Sequence, residues 1–163
     1  MYQHKIMCVN YTTYDVGHSQ NVINSENSHH DIMLLAASNS DVCPTSKVEF
    51  FRYAWVLDTF HVNVIYVGPG SLGYQSQRIE FLWVWWYKVI GPGSSGWKKS
   101  RLDQLHFPSL MDHAAFDFIN PLDVLRGCHV LPRFSLGQQH SNGAGILCSG
   151  KDSEDWMEYH MNW

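Results

Sequence analysis

Apolar residues fall into short runs separated by Gly, Pro, Asn and Ser, and most runs are of strand length. Phe50 to Leu57 (FFRYAWVL) is dense in aromatic and branched side chains and predicts a strand. From Phe60 to Val67 the pattern alternates: Phe60, Val62, Val64 and Tyr66 share one face, and His61 and Asn63 the other. Ile79 to Val89 (IEFLWVWWYKV) is the strongest run. Its odd positions are Ile79, Phe81, Trp83, Trp85, Tyr87 and Val89, and its even positions include Leu82, Val84 and Trp86. Apolar residues on both faces predict a central strand covered on each side. Ala115 to Ile119 alternates again, and Cys128 to Phe134 predicts a last strand placed at an edge by Pro132. Asp31 to Ala37 reads either as a strand or as a docking turn. Arg101 to Phe107 is weaker, because Leu102 and Leu105 break strict alternation.

No long amphipathic helix separates these runs, so they do not suggest a parallel α/β fold. Asn120-Pro121-Leu122-Asp123 carries a capping residue, a proline at the first helical position and an early acid, and predicts a short helix ended by Gly127. Asp152 to Trp163 reads as a possible C-terminal helix after a loose Gly- and Ser-rich stretch. Residues 13–31 hold few core-forming side chains and are expected to be extended or poorly ordered. The expected organisation is an N-terminal arm over 1–47, a β-rich core over 48–134, and a loop with a possible helix over 135–163. The fold class is mainly β: a small bent sheet or partly open barrel with one short helix and loose termini.

Composition narrows the function. The chain has 163 residues, enough for one domain, and 45% of them are hydrophobic. Net charge is −4, which argues against bulk electrostatic capture of nucleic acid. The start has no basic-then-apolar leader, and no apolar run reaches 18 residues, so neither secretion nor a membrane-spanning segment is expected. Cys8, Cys43, Cys128 and Cys148 are widely spaced and read as free thiols of a reducing compartment.

Motifs that carry chemistry are weak. VGPGSLG (67–73) and IGPGSSG (90–96) each follow a strong strand, and the second runs on into GWKKS. A phosphate-binding loop needs lysine directly after its last glycine and a helix behind it. Here Trp97 intervenes and no helix follows, so two turns are the plainer reading. The ten histidines are scattered, and even the adjacent His29 and His30 lack partners at ligand spacing; no metal or other cofactor is expected. No G-x-S-x-G elbow occurs, and Asp152, Glu154 and Asp155 read as a solvated charge run. The aromatic set Trp83, Trp85, Tyr87 and Trp97 is either a core strand with a flanking Trp or a stacking surface for a planar or cationic ligand. Lys98, Lys99 and Arg101 beside Trp97 form the one basic cluster, which can touch phosphate or simply be solvated.

Longer strings carry a family resemblance. VNYTTYDV (9–16), HDIMLLA (30–36), FHVNVIYVGPGSLGYQSQRIEFLWVWWYKVIG (60–91), SGWKKSRLDQLHFP (95–108), AAFDFINPLDVLRGCHVLPRF (114–134) and KDSEDWMEYHMN (151–162) resemble, in order, the C-terminal region of Plavaka-type transposon proteins of basidiomycete fungi. The chain departs from that pattern at Gly17 and Trp86, where relatives commonly have Arg. It also lacks the R/W-F-x-D-R-D-like continuation. A fainter similarity links it to the plant En/Spm transposon C-terminal domain. Another links it to bromo-adjacent-homology modules through Trp86-Tyr87 and Asp123 to Val130, implying an SH3-like or BAH-like sheet. The resemblance implies a catalytic core outside this chain, a nuclear setting, and contacts with other transposase domains, chromatin protein or DNA.

The expectation is therefore a non-catalytic accessory or binding domain of a fungal transposase-like protein, with Trp83, Trp85, Tyr87, Trp97, Lys98, Lys99 and Arg101 as candidate binding residues. It needs no small-molecule substrate and no membrane. Two alternatives stand beside it: a small nucleotide-binding protein or enzyme using GPGSSGWKKS, and a non-functional transposon-derived fragment.

Overall fold

A computed structural model describes residues 1–36, 51–70, 73–90, 102–139 and 156–162. Within them the chain is mainly β. The strands are β1 (Tyr2–His4), β2 (Ile6–Thr12), β3 (His18–Asn24), β4 (Asp31–Leu35), β5 (Phe51–Val64), β6 (Gln77–Trp86), β7 (Lys88–Ile90), β8 (Gln104–His106), β9 (Phe116–Ile119), β10 (Val124–Gly127), β11 (His129–Pro132) and β12 (Tyr159–Asn162). They form several sheets rather than a closed barrel. The six-stranded sheet runs β10-β4-β5-β6-β9, with β1 also paired to β5. A four-stranded sheet runs β11-β12-β8-β7, and β2 with β3 makes a hairpin.

The two aromatic runs expected as separate strands are one strand. β5 crosses the whole sheet, pairing with β4 over Phe51–Trp55, with β1 over Thr59–His61, and with β6 along most of its length. A bulge at Leu57 sits between the Val56–Val84 and Asp58–Trp83 pairs. An extra residue there resets which side chains face which way. Before it, Tyr53 and Trp55 lie on one face and Ala54 and Val56 on the other. After it, Asp58, Phe60 and Val62 continue the Tyr53 face.

The six-stranded sheet is buried on both faces at one end. One face packs Ile32, Leu34, Ala54, Val56, Leu82, Val84, Trp86 and Val124 against Val9 and Ile23 of the β2–β3 hairpin. The other packs Met33, Tyr53, Trp55, Trp85 and Tyr87 against Leu105, Tyr159 and Met161 of the four-stranded sheet, with Ala115 and Cys128. Two-sided coverage is what the doubly apolar middle of β6 predicts.

Three expectations are corrected. The N-terminal arm is not loose: residues 2–24 form three strands, and Val9 and Ile23 reach the core. Val9 and Ile23, with the half-buried Met7, dock the hairpin on the sheet; Thr13 closes its turn, and Asn24 and Asn27 close the connection into β4. The expected helix at Asn120 is a single 3₁₀ turn, Pro121–Asp123, capped by Asn120 Oδ1 accepting from Leu122 N–H. The chain then enters β10, because Val124 is pulled into the sheet. Near the C-terminus, Tyr159–Asn162 is a strand between β8 and β11, not a helix. Its Tyr159 and Met161 alternate inward while Asn162 faces out.

Candidate functional site

Beyond Trp85, the four-stranded sheet no longer covers the six-stranded one. The uncovered half of that face carries Phe60 from β5, Phe81 and Trp83 from β6, and Phe118 from β9. With Met1 they line an open groove of about 470 Å³. Register explains the gathering. Phe60 stands opposite Phe81, and Trp83 stands between Asp58 on one side and Phe118 on the other. Directly opposed residues share a face, so three strands contribute to one surface.

The rings touch. Phe60 and Phe81 have centroids 5.5 Å apart, and Phe81 meets Phe118 edge to face at 5.6 Å. Trp83 lies 6.4 Å from Phe116. Much of this surface is open: Trp83 is 40% exposed, Phe118 64% and Ile79 48%. The reverse face of the same strand segments is polar, with Thr59, His61 and Asn63 on β5 and Arg78 and Glu80 on β6. There His61 bonds His4 at 2.5 Å, and Arg78 pairs with Glu80. Burial and coulombic repulsion from Arg78 and His4 lower the His61 pKa. Apolar-in, polar-out alternation belongs to a sheet with one covered face. Here neither face is covered among the described residues, so the aromatic side is open as well as the polar one.

The predicted site residues separate. Trp83 is in the groove. Trp85 is 1% exposed and sandwiched between Phe107, at 4.0 Å, and Phe116. Tyr87 is buried and donates its hydroxyl proton to Asp31 Oδ1 at 2.9 Å. Trp85 and Tyr87 are therefore core residues and not contact residues. Trp97, Lys98, Lys99 and Arg101, and with them the GPGSSGWKKS loop, lie outside the described residues. Phe60, Phe81, Phe118 and Asp58 were not singled out in the sequence. The Phe60–Val64 alternation marks that face, but the bulge at Leu57 and the partnership with Phe118 leave no local trace.

A second cluster is closed. His30 stacks on Trp55 at 3.9 Å, and its Nδ1 lies 3.2 Å from Asp31 Oδ1. Asp31 is 4% exposed, and Cys128 lies beside it. Burial first, and then the Asp31 charge, push the Cys128 thiol well above its ordinary pKa. A thiol held protonated in a sealed interior is inert as a nucleophile. Histidine, aspartate and cysteine thus stand together in a packing role: the buried carboxylate is satisfied by Tyr87 and His30.

Among the described residues no group of three His, Cys, Asp or Glu side chains can hold a metal ion. Every described Lys and Arg side chain has a partner. Lys5 pairs with Glu26, Arg78 with Glu80, Lys88 with Asp112 and Arg133 with Glu158, while Arg52 and Arg126 lie over the rings of Trp86 and Tyr11. Among the described residues no helix is long and apolar enough to cross a membrane. No protein-family model matches the chain, and the searches of curated proteins and of solved structures return no match.

Proposed function

We propose that the chain is a non-catalytic binding module that docks a segment of a partner protein on the open aromatic face of its six-stranded sheet. The observation that carries this is the contiguous aromatic surface of the outer β5–β6 segment, Phe60, Phe81 and Trp83 with Phe118 of β9, which lies open among the described residues. Contiguous exposed apolar surface on a folded domain marks a contact site. The net charge of −4 favours protein over nucleic acid as the partner, since phosphate tracking needs a basic footprint. The ordered string resemblance supports placing this module as an accessory domain of a transposase-like protein, whose DNA chemistry would reside elsewhere.

Selection of peptides from a random display library against the purified chain tests the docking. Peptides that bind the unaltered chain are expected to bind a Trp83→Ser, Phe118→Ser double variant about tenfold more weakly, a loss of ~1.4 kcal/mol. Trp83 is 40% and Phe118 64% exposed, so the double variant should melt lower yet stay folded, and binding is compared at a temperature where both proteins are folded. Peptides that bind both proteins equally, or duplex DNA binding that survives the double substitution, would refute the docking reading. Cation-dependent nuclease or strand-transfer activity in the isolated chain would refute the accessory role.

A further inference from the structure

The groove face carries a single charged side chain among the described residues, Asp58, and it stands opposite Trp83. Cross-strand neighbours of this kind hold their Cβ atoms about 5 Å apart. A carboxylate beside an indole face is a pairing that attracts a cation from both sides: coulombically through the carboxylate, and through the ring quadrupole. Asp58 is also held in place. Its Oδ1 accepts the Thr59 N–H at 2.8 Å and its Oδ2 accepts the Gln3 side-chain amide at 2.5 Å. These bonds hold the carboxylate on the Trp83 face of the sheet.

Size argues for a short segment. Trp83, Phe118, Met1 and the half-buried Phe60 and Phe81 together expose on the order of 400 Å². A standard interface takes about 800 Å² from each partner, so the groove alone is too small to hold a second folded copy. The chain's net charge of −4 opposes self-association further.

The sheet edge argues that the segment lies across the face. Trp86 N–H donates to Ala115 O at 2.8 Å. The ladder alternates, so the backbone groups of Phe116 and Phe118 point away from β6. An added strand would need the Phe118 N–H, and that donor is already given to Asp117 Oδ1 at 2.8 Å.

We propose that the groove recognises a short segment in which a lysine or arginine adjoins an aromatic or large aliphatic residue, the cation between the Asp58 carboxylate and the Trp83 ring and the apolar residue on Phe81 and Phe118. This rests on the docking function above and specifies its partner chemistry.

The test is an NMR titration of the full chain, following the Trp83 indole N–H, with acetyl-Ser-Phe-Lys-Leu-Ser-amide and its Glu and norleucine counterparts in the millimolar range. The lysine peptide is expected to bind about threefold to fivefold more tightly than norleucine, the size of an exposed ion pair with a cation–π contact. The advantage should shrink in Asp58→Asn, which removes the charge and keeps one acceptor oxygen for the Thr59 N–H, and should fall with added salt. If all three peptides shift Trp83 with equal affinity, the cation preference is overturned while docking stands. If none shifts it, docking and preference fall together. Concentration-dependent self-association abolished by Trp83→Ser would overturn the peptide occupant in favour of a second copy.

Discussion

At the scale of single residues, the interior is guarded by phenols and a thiol that resist ionisation. Tyr53 donates to Asp103 Oδ2 at 2.7 Å and Tyr87 donates to Asp31. Burial first, then the neighbouring carboxylates, raise both phenol pKa values, and Cys128 is raised by burial and by Asp31. Each group keeps its proton in the folded chain and releases it on unfolding once the pH exceeds its ordinary value. Above that point the unfolded state binds fewer protons, so stability declines with rising pH. The expected window opens near the ordinary thiol value of 9.0 and steepens past the ordinary phenol value of 10.0. Urea midpoints across alkaline pH should fall, and Tyr87→Phe should flatten the fall while lowering stability near neutrality by about 1–3 kcal/mol, because Asp31 loses a donor. An alkaline slope unchanged by Tyr87→Phe would contradict this.

At the scale of elements, the β2–β3 hairpin is the part whose role the sequence understated. It meets the six-stranded sheet through Val9 and Ile23, and Ile23 is 3% exposed. Ile23→Ala is expected to cost about 2–4 kcal/mol in a thermal or urea melt, as a buried truncation does. A change below ~0.5 kcal/mol would mean that the hairpin does not share the core. Local pattern made the central strands legible: Leu82, Val84 and Trp86 against Trp85 and Tyr87 announce two covered faces. The hairpin was illegible because its inward positions mix apolar Met7, Val9, Tyr11 and Ile23 with polar Ser19 and Asn21, so the pair of strands shows no consistent apolar face. The final strand was illegible for a related reason. Tyr159 and Met161 give just one period of alternation, too little to separate a strand from a helix. The bulge at Leu57 depends on register with β6, which no window of one strand contains.

At the scale of the whole molecule, three layers share one long strand, and coverage is uneven. Trp83 was among the candidate binding residues and lies in the groove; Trp85 and Tyr87, in the same run, are interior. A single step along β6 separates surface from core because the four-stranded sheet ends there. Sequence shows which positions share a face but not where a neighbouring layer stops. The groove is thus a property of the packing of sheets, and its aromatic residues come from three strands 60 to 118 in the chain.

The small bond from Phe118 N–H to Asp117 has a consequence for solubility. Among the described residues β9 ends the sheet, and an open aromatic face next to such an edge is the pairing from which fibres grow, one chain laying its edge along the next. Asp117 occupies the outward donor with its own carboxylate and leaves a negative charge where an incoming strand would lie. Asp117→Val should leave the monomer folded yet make concentrated solutions bind thioflavin and sediment, which the unaltered chain should not do. One acidic side chain would then be what lets this protein keep its rings in water without polymerising.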